Sequence, residues 1–251
     1  MKKLFYWHWI LYGYIGRNRV FDKYVGTGAL FILTCYNLER MKNIEPIVRS
    51  ILKCTFIEKI IVSNHNPSVI LEHWVRIKDK RLKLVNQMTR RGPGYRWKLA
   101  HEEGSEFIIL IDDDMLVYPS QLEILFNHLV KQPDIPHGIT GHYKSEYYQN
   151  KEMEVGTLNQ IYAITRQHLV KYFELSEAIK AIDYMAYEDI EFYADDILIS
   201  KSGINKPRIH NVGTLLRCPT ARKPGVAMHL EENFLKKRIR VIDVLELVMQ
   251  H

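Results

Sequence analysis

The sequence predicts a single α/β domain, a mostly parallel central sheet flanked by helices, and three observations predict it. The run Phe107 to Ile111 is apolar without a break, bounded by Gly104-Ser105 upstream and Pro119-Ser120 downstream, as in a strand buried on both faces of a parallel sheet. Ahead of it, short apolar or β-branched runs alternate with a helical stripe, the order that builds βαβ units. The 251 residues, 47% hydrophobic and 25% charged, suffice for one large core and are too apolar for a disordered chain.

The N-terminal segment, residues 1–28, imitates a signal peptide in its basic start, Met1-Lys2-Lys3. The aromatic residues Phe5, Tyr6, Trp7, Trp9, Tyr12 and Tyr14, with His8, break the aliphatic pattern, and no small-x-small cleavage site follows. It reads as a packed segment, with aromatic anchoring at a membrane interface as the second reading. Gly26-Thr27-Gly28 marks a turn, and Ala29 to Tyr36 is the first parallel strand, ending at Asn37. Ile44, Ile47, Val48, Ile51 and Leu52 then fall at i, i+3, i+4, i+7 and i+8, one helical stripe. Lys59 to Ser63 is a second strand, closing in the polar loop Asn64-His65-Asn66-Pro67.

A short helix end is expected at Trp74 to Ile77 and a third strand at Arg81 to Val85. The loop Asn86 to Gly94 holds Arg90 and Arg91 beside Gly92 and Gly94. Guanidinium forks suit phosphate oxygens and glycine admits backbone amides close to a diphosphate, although exposed arginines in a turn are equally often only solvated. Tyr95 to Glu103 is helical and feeds the Phe107 strand. Pro119 opens a helix carrying Leu122, Leu125, Phe126, Leu129 and Val130 at helical spacing. The alternation then loosens: a strand at Gly138 to Tyr143, a polar tyrosine-containing loop at Lys144 to Glu154, a strand at Thr157 to Thr165, and a helix at Gln167 to Phe173. Residues 29–130 thus form a regular α/β half, and 131–230 an irregular half suited to acceptor or substrate recognition.

The chemistry concentrates where the Phe107 strand runs into Asp112-Asp113-Asp114. Three carboxylates cannot be buried together without a cation, and strand ends of open α/β sheets are where ligands bind. If extension persists, Asp112 and Asp114 share one side, and two hard oxygens there suit Mg²⁺ or Mn²⁺, completed by phosphate oxygens and water. A solvated acidic loop is the bland alternative. A second acidic cluster, Glu188, Asp189, Glu191, Asp195 and Asp196, opens an apolar, helical run ending near Gly203. Helix capping accounts for some of these residues; a carboxylate in a cleft can instead take a proton from an attacking hydroxyl. Val212 to Leu216 reads as a last strand, Arg217 to Gly225 as a basic loop able to close over a ligand, and 231–251 as a C-terminal helix with a basic face at Lys236-Lys237-Arg238 and Arg240. That helix packs on the domain or meets anionic lipid.

Composition excludes less. A formal charge of +6 leaves nucleic acid, anionic lipid and phosphorylated small molecules open as partners. Cys35, Cys54 and Cys218 match neither a zinc site nor a disulfide framework, which favours a reducing, cytoplasmic location, with peripheral membrane contact as an addition. Neither Walker A, Gly-x-Gly-x-x-Gly nor Gly-x-Ser-x-Gly occurs.

The order of these features resembles GT-A glycosyltransferases over about residues 29 to 235. Residues 60 to 67 (Ile-Ile-Val-Ser-Asn-His-Asn-Pro), the Asp triplet and Asp195-Asp196-Ile197 look most like the exostosin C-terminal domain family, glycosyltransferase family 64. The general layout is also similar to family 2 glycosyltransferases. The resemblance implies a Rossmann-like nucleotide-diphospho-sugar fold and a nucleotide-sugar donor, UDP-sugar favoured, with Mn²⁺ or Mg²⁺ bridging Asp114 and the diphosphate. It implies that Asp112 lies near the ribose or sugar, with Asp113 beside it, that Thr34, Tyr36, Asn37 and Asn64 lie near the base, and that Arg90, Arg91 and Arg96 serve the donor. Asp196 or Asp195 would position or deprotonate a hydroxyl acceptor on a glycan or lipid-linked sugar, or orient it in a retaining enzyme, and His229 would be a further metal ligand. Nucleic acid is then not an expected partner. A sugar-phosphate nucleotidylyltransferase is the alternative, but should carry a Gly-rich basic loop where Cys35-Tyr36-Asn37-Leu38-Glu39 stands. A non-catalytic polyanion- or lipid-binding module on the same fold is the other.

Overall fold

The structure, a computed structural model, describes residues 2–15, 28–218, 220, 230 and 232–250. Its central strand is β1 (Ala29–Cys35), buried at every position as its unbroken apolar run requires. It pairs in parallel with β2 (Ile57–Asn64) on one side and β4 (Phe107–Asp112) on the other. β3 (Leu82–Asn86) adds in parallel to β2. Beyond β4 the direction reverses: β9 (Thr157–Thr165) is antiparallel to β4, and β6 (His137–Tyr143) is antiparallel to β9. β7 (Glu146–Gln149), β8 (Met153–Glu154) and β10 (Arg208–Ile209) complete a nine-stranded sheet of order β3-β2-β1-β4-β9-β6-β10-β8, with β7 on β6. The strands of residues 29–130 and those after them therefore share one sheet. β5 (Met115–Leu116) pairs separately with β11 (Leu216–Arg217), bringing Arg217 beside the end of β4.

Alternation along the buried strands makes two cores. Phe31, Leu33, Ile109 and Ile111 face α1 (Lys2–Ile15), α2 (Ile44–Ile51) and α4 (Pro119–Lys131), while Leu30, Ile32, Ile108 and Leu110 face α3 (Tyr95–Glu103), α5 (Arg166–Ile182), α7 (Asp195–Ser200) and α8 (Phe234–Gln250). α6 (Tyr184–Asp189) leads through a π-turn (Ile190–Ala194) into α7. The aromatic N-terminal segment is thus a helix docked through Trp9, which is buried and donates its indole N–H to the Val117 carbonyl at 3.1 Å. No described helix is long and apolar enough to cross a membrane.

Four elements differ from the sequence reading. The short helix end expected at Trp74 to Ile77 is a 3-10 turn at Leu71–His73, where Asn86 Oδ1 accepts the Leu71 amide at 3.0 Å. The loop expected at 144–154 contains β7 and β8, too short for alternation to register. The helix expected at 167–173 runs to Ile182, because the buried stripe continues through Leu175, Ser176 and Ile179 until Asp183 caps α6. Only Leu216 of the expected strand 212–216 is in a ladder; the Val212 and Thr214 carbonyls instead accept the Gln121 side-chain amide at 3.2 and 2.9 Å.

Candidate active site

β1 sends its chain to β2 on one side, while its other neighbour, β4, arrives later in the sequence. The crevice between their C-terminal ends is therefore the topological switch point of the sheet. Thr34 sits beside Asp112 there, and a cavity of about 670 Å³ opens above them. Six arginines and five aspartates line it, so anionic ligands meet an excess of guanidinium.

The strand ends at Asp112, and Asp113 and Asp114 form a turn rather than continuing the extension. This changes the expected pairing of side chains. Asp112 keeps the α3 side and meets Arg96 Nη1 at 2.7 Å, whereas Asp113 and Asp114 share Arg40, at 2.7 and 3.3 Å. Burial pushes all three carboxyls up, most visibly Asp114, to about 6, against the opposing pull of Arg40. Asp114 Oδ1 is buried with no hydrogen-bond partner. An orphaned carboxylate oxygen beside a second carboxylate is a hard donor set in want of a cation, so these residues fit Mn²⁺ or Mg²⁺.

The second acidic cluster is not a set of helix caps. Ala194, not an aspartate, stands at the N-cap of α7, without a side-chain cap. Asp195 Oδ2 accepts Arg96 Nε at 3.0 Å, Arg96 Nη2 at 2.7 Å and Trp97 Nε1 at 2.9 Å, so one oxygen of this buried carboxylate carries three donors. Arg96 thereby ties Asp112 to Asp195, and its charge is held firmly by both, against burial. Asp196 lies nearer solvent and forks onto Arg238 of α8, at 2.7 and 3.0 Å. The π-turn before α7 sets these two adjacent carboxylates on different arginines.

The remaining predicted residues divide. Thr34, Tyr36, Asn37, Arg90 and Arg91 line the cavity. Asn37 also accepts the Glu39 amide, starting the 3-10 turn that carries Arg40. Arg90 lies over the rings of Tyr36 and Phe192, at 5.2 and 5.8 Å. Gly92 and Gly94 give their amides to Glu191 rather than to the cavity, and a Cβ on Gly92 would come within 2.4 Å of the Glu191 carbonyl. Their small size is needed for docking this loop on the π-turn. Asn64 is buried outside the lining, with its side-chain amide spent on the Asn66 and Val69 carbonyls at 2.9 and 2.6 Å. Its neighbour His65 lines the cavity instead, and burial, with Arg96 nearby, lowers its pKa to about 4, keeping it neutral. His229 lies outside the described residues.

Sequence reasoning missed Arg40, His65, Tyr162, Arg217 and a lining role for Arg238. Position in the loop at the end of β2 was the one available signal for His65; the others reach the cavity only through the strand order.

A doubly wound sheet with carboxylates at its switch point and a carboxylate–arginine pair facing them is the architecture of GT-A nucleotide-sugar transferases. The family model for glycosyl transferase family 2 matches residues 31–188, and the chain belongs to that family. Solved structures show the same fold. GalNAc-T7, in a complex with UDP, GalNAc and Mn²⁺, superposes with a TM-score of 0.61 at 12% identity, covering 86% of this chain and 48% of that one. Residues 1–349 of S. aureus TarS with UDP-GlcNAc give 0.58 at 17% identity, over 88% and 67%. The mannosyltransferase PcManGT from Pyrobaculum calidifontis with GDP-Man and Mn²⁺ gives 0.56 at 15%, over 100% and 72%. The chain thus spans about half the length of GalNAc-T7. No curated protein matches it.

Proposed function

We infer that this chain moves a sugar from a nucleotide-diphosphate donor to a hydroxyl acceptor in a metal-dependent reaction, and that the sugar is a hexose or N-acetylhexosamine. The observation that carries the reading is one cavity holding both the Asp112–Asp114 carboxylates, with their orphaned oxygen, and the Asp196–Arg238 pair. Asp114 and Asp112 hold the metal, with His229 as a further candidate ligand. Bound there, a divalent ion would supply charge neutralisation for the departing diphosphate. Arg90 and Arg91 lie at the same mouth as guanidinium partners for that diphosphate. Thr34, Tyr36 and Asn37 flank the base, and Asp113 anchors Arg40 beneath it. A UDP-sugar is favoured, since GalNAc-T7 and TarS were both solved with uridine nucleotides.

Of the two candidate bases, Asp195 is buried with three donors on its Oδ2, whereas Asp196 lies nearer solvent, which favours Asp196 as the group that accepts the acceptor proton while Arg238 fixes its carboxylate. A glycan or lipid-linked acceptor suits a mouth walled by Tyr147, Phe192, Tyr193 and Phe234, because aromatic faces pack against sugar C–H surfaces and acyl chains. On α1, Trp7, Leu11, Tyr14 and Ile15 are exposed at 64%, 57%, 52% and 74%. Their i, i+4, i+7, i+8 spacing makes one apolar stripe for peripheral contact with a membrane, from the cytoplasmic side. The test is a nucleotide-release assay with UDP-, GDP- and CDP-sugars, with Mn²⁺ and with chelator. Release from one nucleotide class that stops with chelator supports the reading; release from none with any acceptor tried, lipid-linked ones included, argues for a binding module.

A further inference from the structure

Behind α4, and away from the cavity lining, four side chains meet: His128 near the end of α4, His137 at the start of β6, Glu152 just before β8 and His210 just after β10. His137 and His210 are buried, with relative exposures of 0% and 1%. The rings of His128 and His210 stack with centroids 3.6 Å apart, and donor atoms of His128, Glu152 and His210 lie within 4.8 Å of one another.

Proton counting along this cluster leaves a charge unaccounted for. His137 Nε2 is 2.8 Å from the Gln132 carbonyl, an acceptor, so that nitrogen carries hydrogen. In a neutral ring Nδ1 is then a lone pair, and His210 Nε2, 2.8 Å away, must donate to it. His210 Nδ1 is therefore also a lone pair, yet it faces Glu152 Oε2 at 2.8 Å. Two acceptors at that distance repel. The contact is favourable only with one extra positive charge: a proton shared by the two imidazoles, or a cation on His210 Nδ1. Burial of both rings, at 0% and 1% exposure, makes the protonated alternative costly. Glu152 is ionised and fixed by the Asn211 amide on its other oxygen at 2.8 Å.

We propose that His128, Glu152 and His210 bind one Zn²⁺ or similar late first-row divalent ion, with His137 orienting His210 through its Nε2–H. Two imidazoles and a carboxylate suit such an ion, with a fourth position left for water. The His210–His137–Gln132 relay is the outer hydrogen bonding that metal-bound histidines require to fix their tautomer. A zinc ion holds nitrogen at about 2.0–2.1 Å, so the partly buried His128 and the exposed Glu152 would swing inward while His210 stays. The ion would staple α4 to the β8–β10 edge of the sheet, independently of the donor site.

The test uses the full chain carrying Asp114→Ala, stripped with chelator, so that the nucleotide site contributes no metal. Co²⁺ titration should give visible d–d bands saturating at one equivalent and displaced by Zn²⁺. Both should be lost in Glu152→Gln and in His128→Gln, whose substituted side chains lie toward solvent and leave the buried histidines in place. Bands that persist in both variants would overturn the assignment. So would imidazole ¹⁵N shifts of the metal-free chain showing a proton shared by His137 and His210 at neutral pH that Zn²⁺ does not displace.

Discussion

Asp196 and Arg238 form a forked ion pair, 2.7 Å and 3.0 Å between partner atoms, that joins the helix after the π-turn to the C-terminal helix. Arg238 Nη1 also donates to the Tyr193 carbonyl at 2.7 Å, so the guanidinium is fixed by backbone as well as by the carboxylate. Such a planar fork aims a carboxylate in a way that a lysine cannot.

Substitutions here should therefore separate chemistry from donor binding. Asp196→Asn is expected to lower kcat by about 10²–10⁴, the usual worth of a positioned general base, with the donor Kd unchanged. Arg238→Lys, which keeps the charge and loses the fork, should lower kcat less. Steady-state kinetics beside equilibrium donor binding checks this; an equal loss in both would make the pair structural.

Arg96 stands between two carboxylates, with its own side chain 3% exposed. Removing it leaves Asp112 and Asp195 uncompensated at the base of the cavity. Arg96→Leu should destabilise the fold by about 3–5 kcal/mol, the cost of breaking a buried ion pair from one side. The double change Arg96→Leu with Asp195→Leu should recover part of that loss in urea unfolding.

Asp114 predicts a pH dependence with a definite sign. Its folded pKa is about 6 against an ordinary 3.8, so the folded state holds the proton more tightly than the unfolded chain. That contribution to stability is fully present below 3.8 and is lost as pH rises through about 6. The metal-free protein should lose Tm between about pH 4 and 6 relative to Asp114→Asn, and Mn²⁺ affinity should fall as pH drops below about 6, where the ion competes with the proton. Thermal melts at several pH values, with and without Mn²⁺, read both.

Trp9 tests the docking of α1. Trp9→Ala removes a buried indole and its hydrogen bond to Val117, and should cost about 3–5 kcal/mol without shifting the donor Kd, since Trp9 is not in the cavity lining.

Long periodic or unbroken segments were legible in the sequence. β1, α2, β4, α4 and β9 follow from apolar runs and stripes, and the carboxylates at Asp112 to Asp114 and at Asp195-Asp196 declare themselves by following or preceding such runs. What pairs with those carboxylates was not legible. Arg96 reaches Asp195 across 99 residues and Arg238 reaches Asp196 across 42, contacts that exist only once the strand order is fixed. Gly92 and Gly94 beside two arginines suggest a diphosphate, but their smallness serves close packing on Glu191. Asn64 stands at a strand end where a base could lie, but its buried side-chain amide satisfies its own loop first. The histidine cluster gave no sequence signal, because its members come from four separate elements.

The most direct measurement is calorimetric titration of the chain and of Asp114→Ala with UDP, GDP and CDP and their sugars, with Mn²⁺ and with chelator. Micromolar binding of one nucleotide class that needs both Mn²⁺ and Asp114 is the predicted result. Full binding by Asp114→Ala, or binding indifferent to chelator, would contradict the assignment of the metal and donor site.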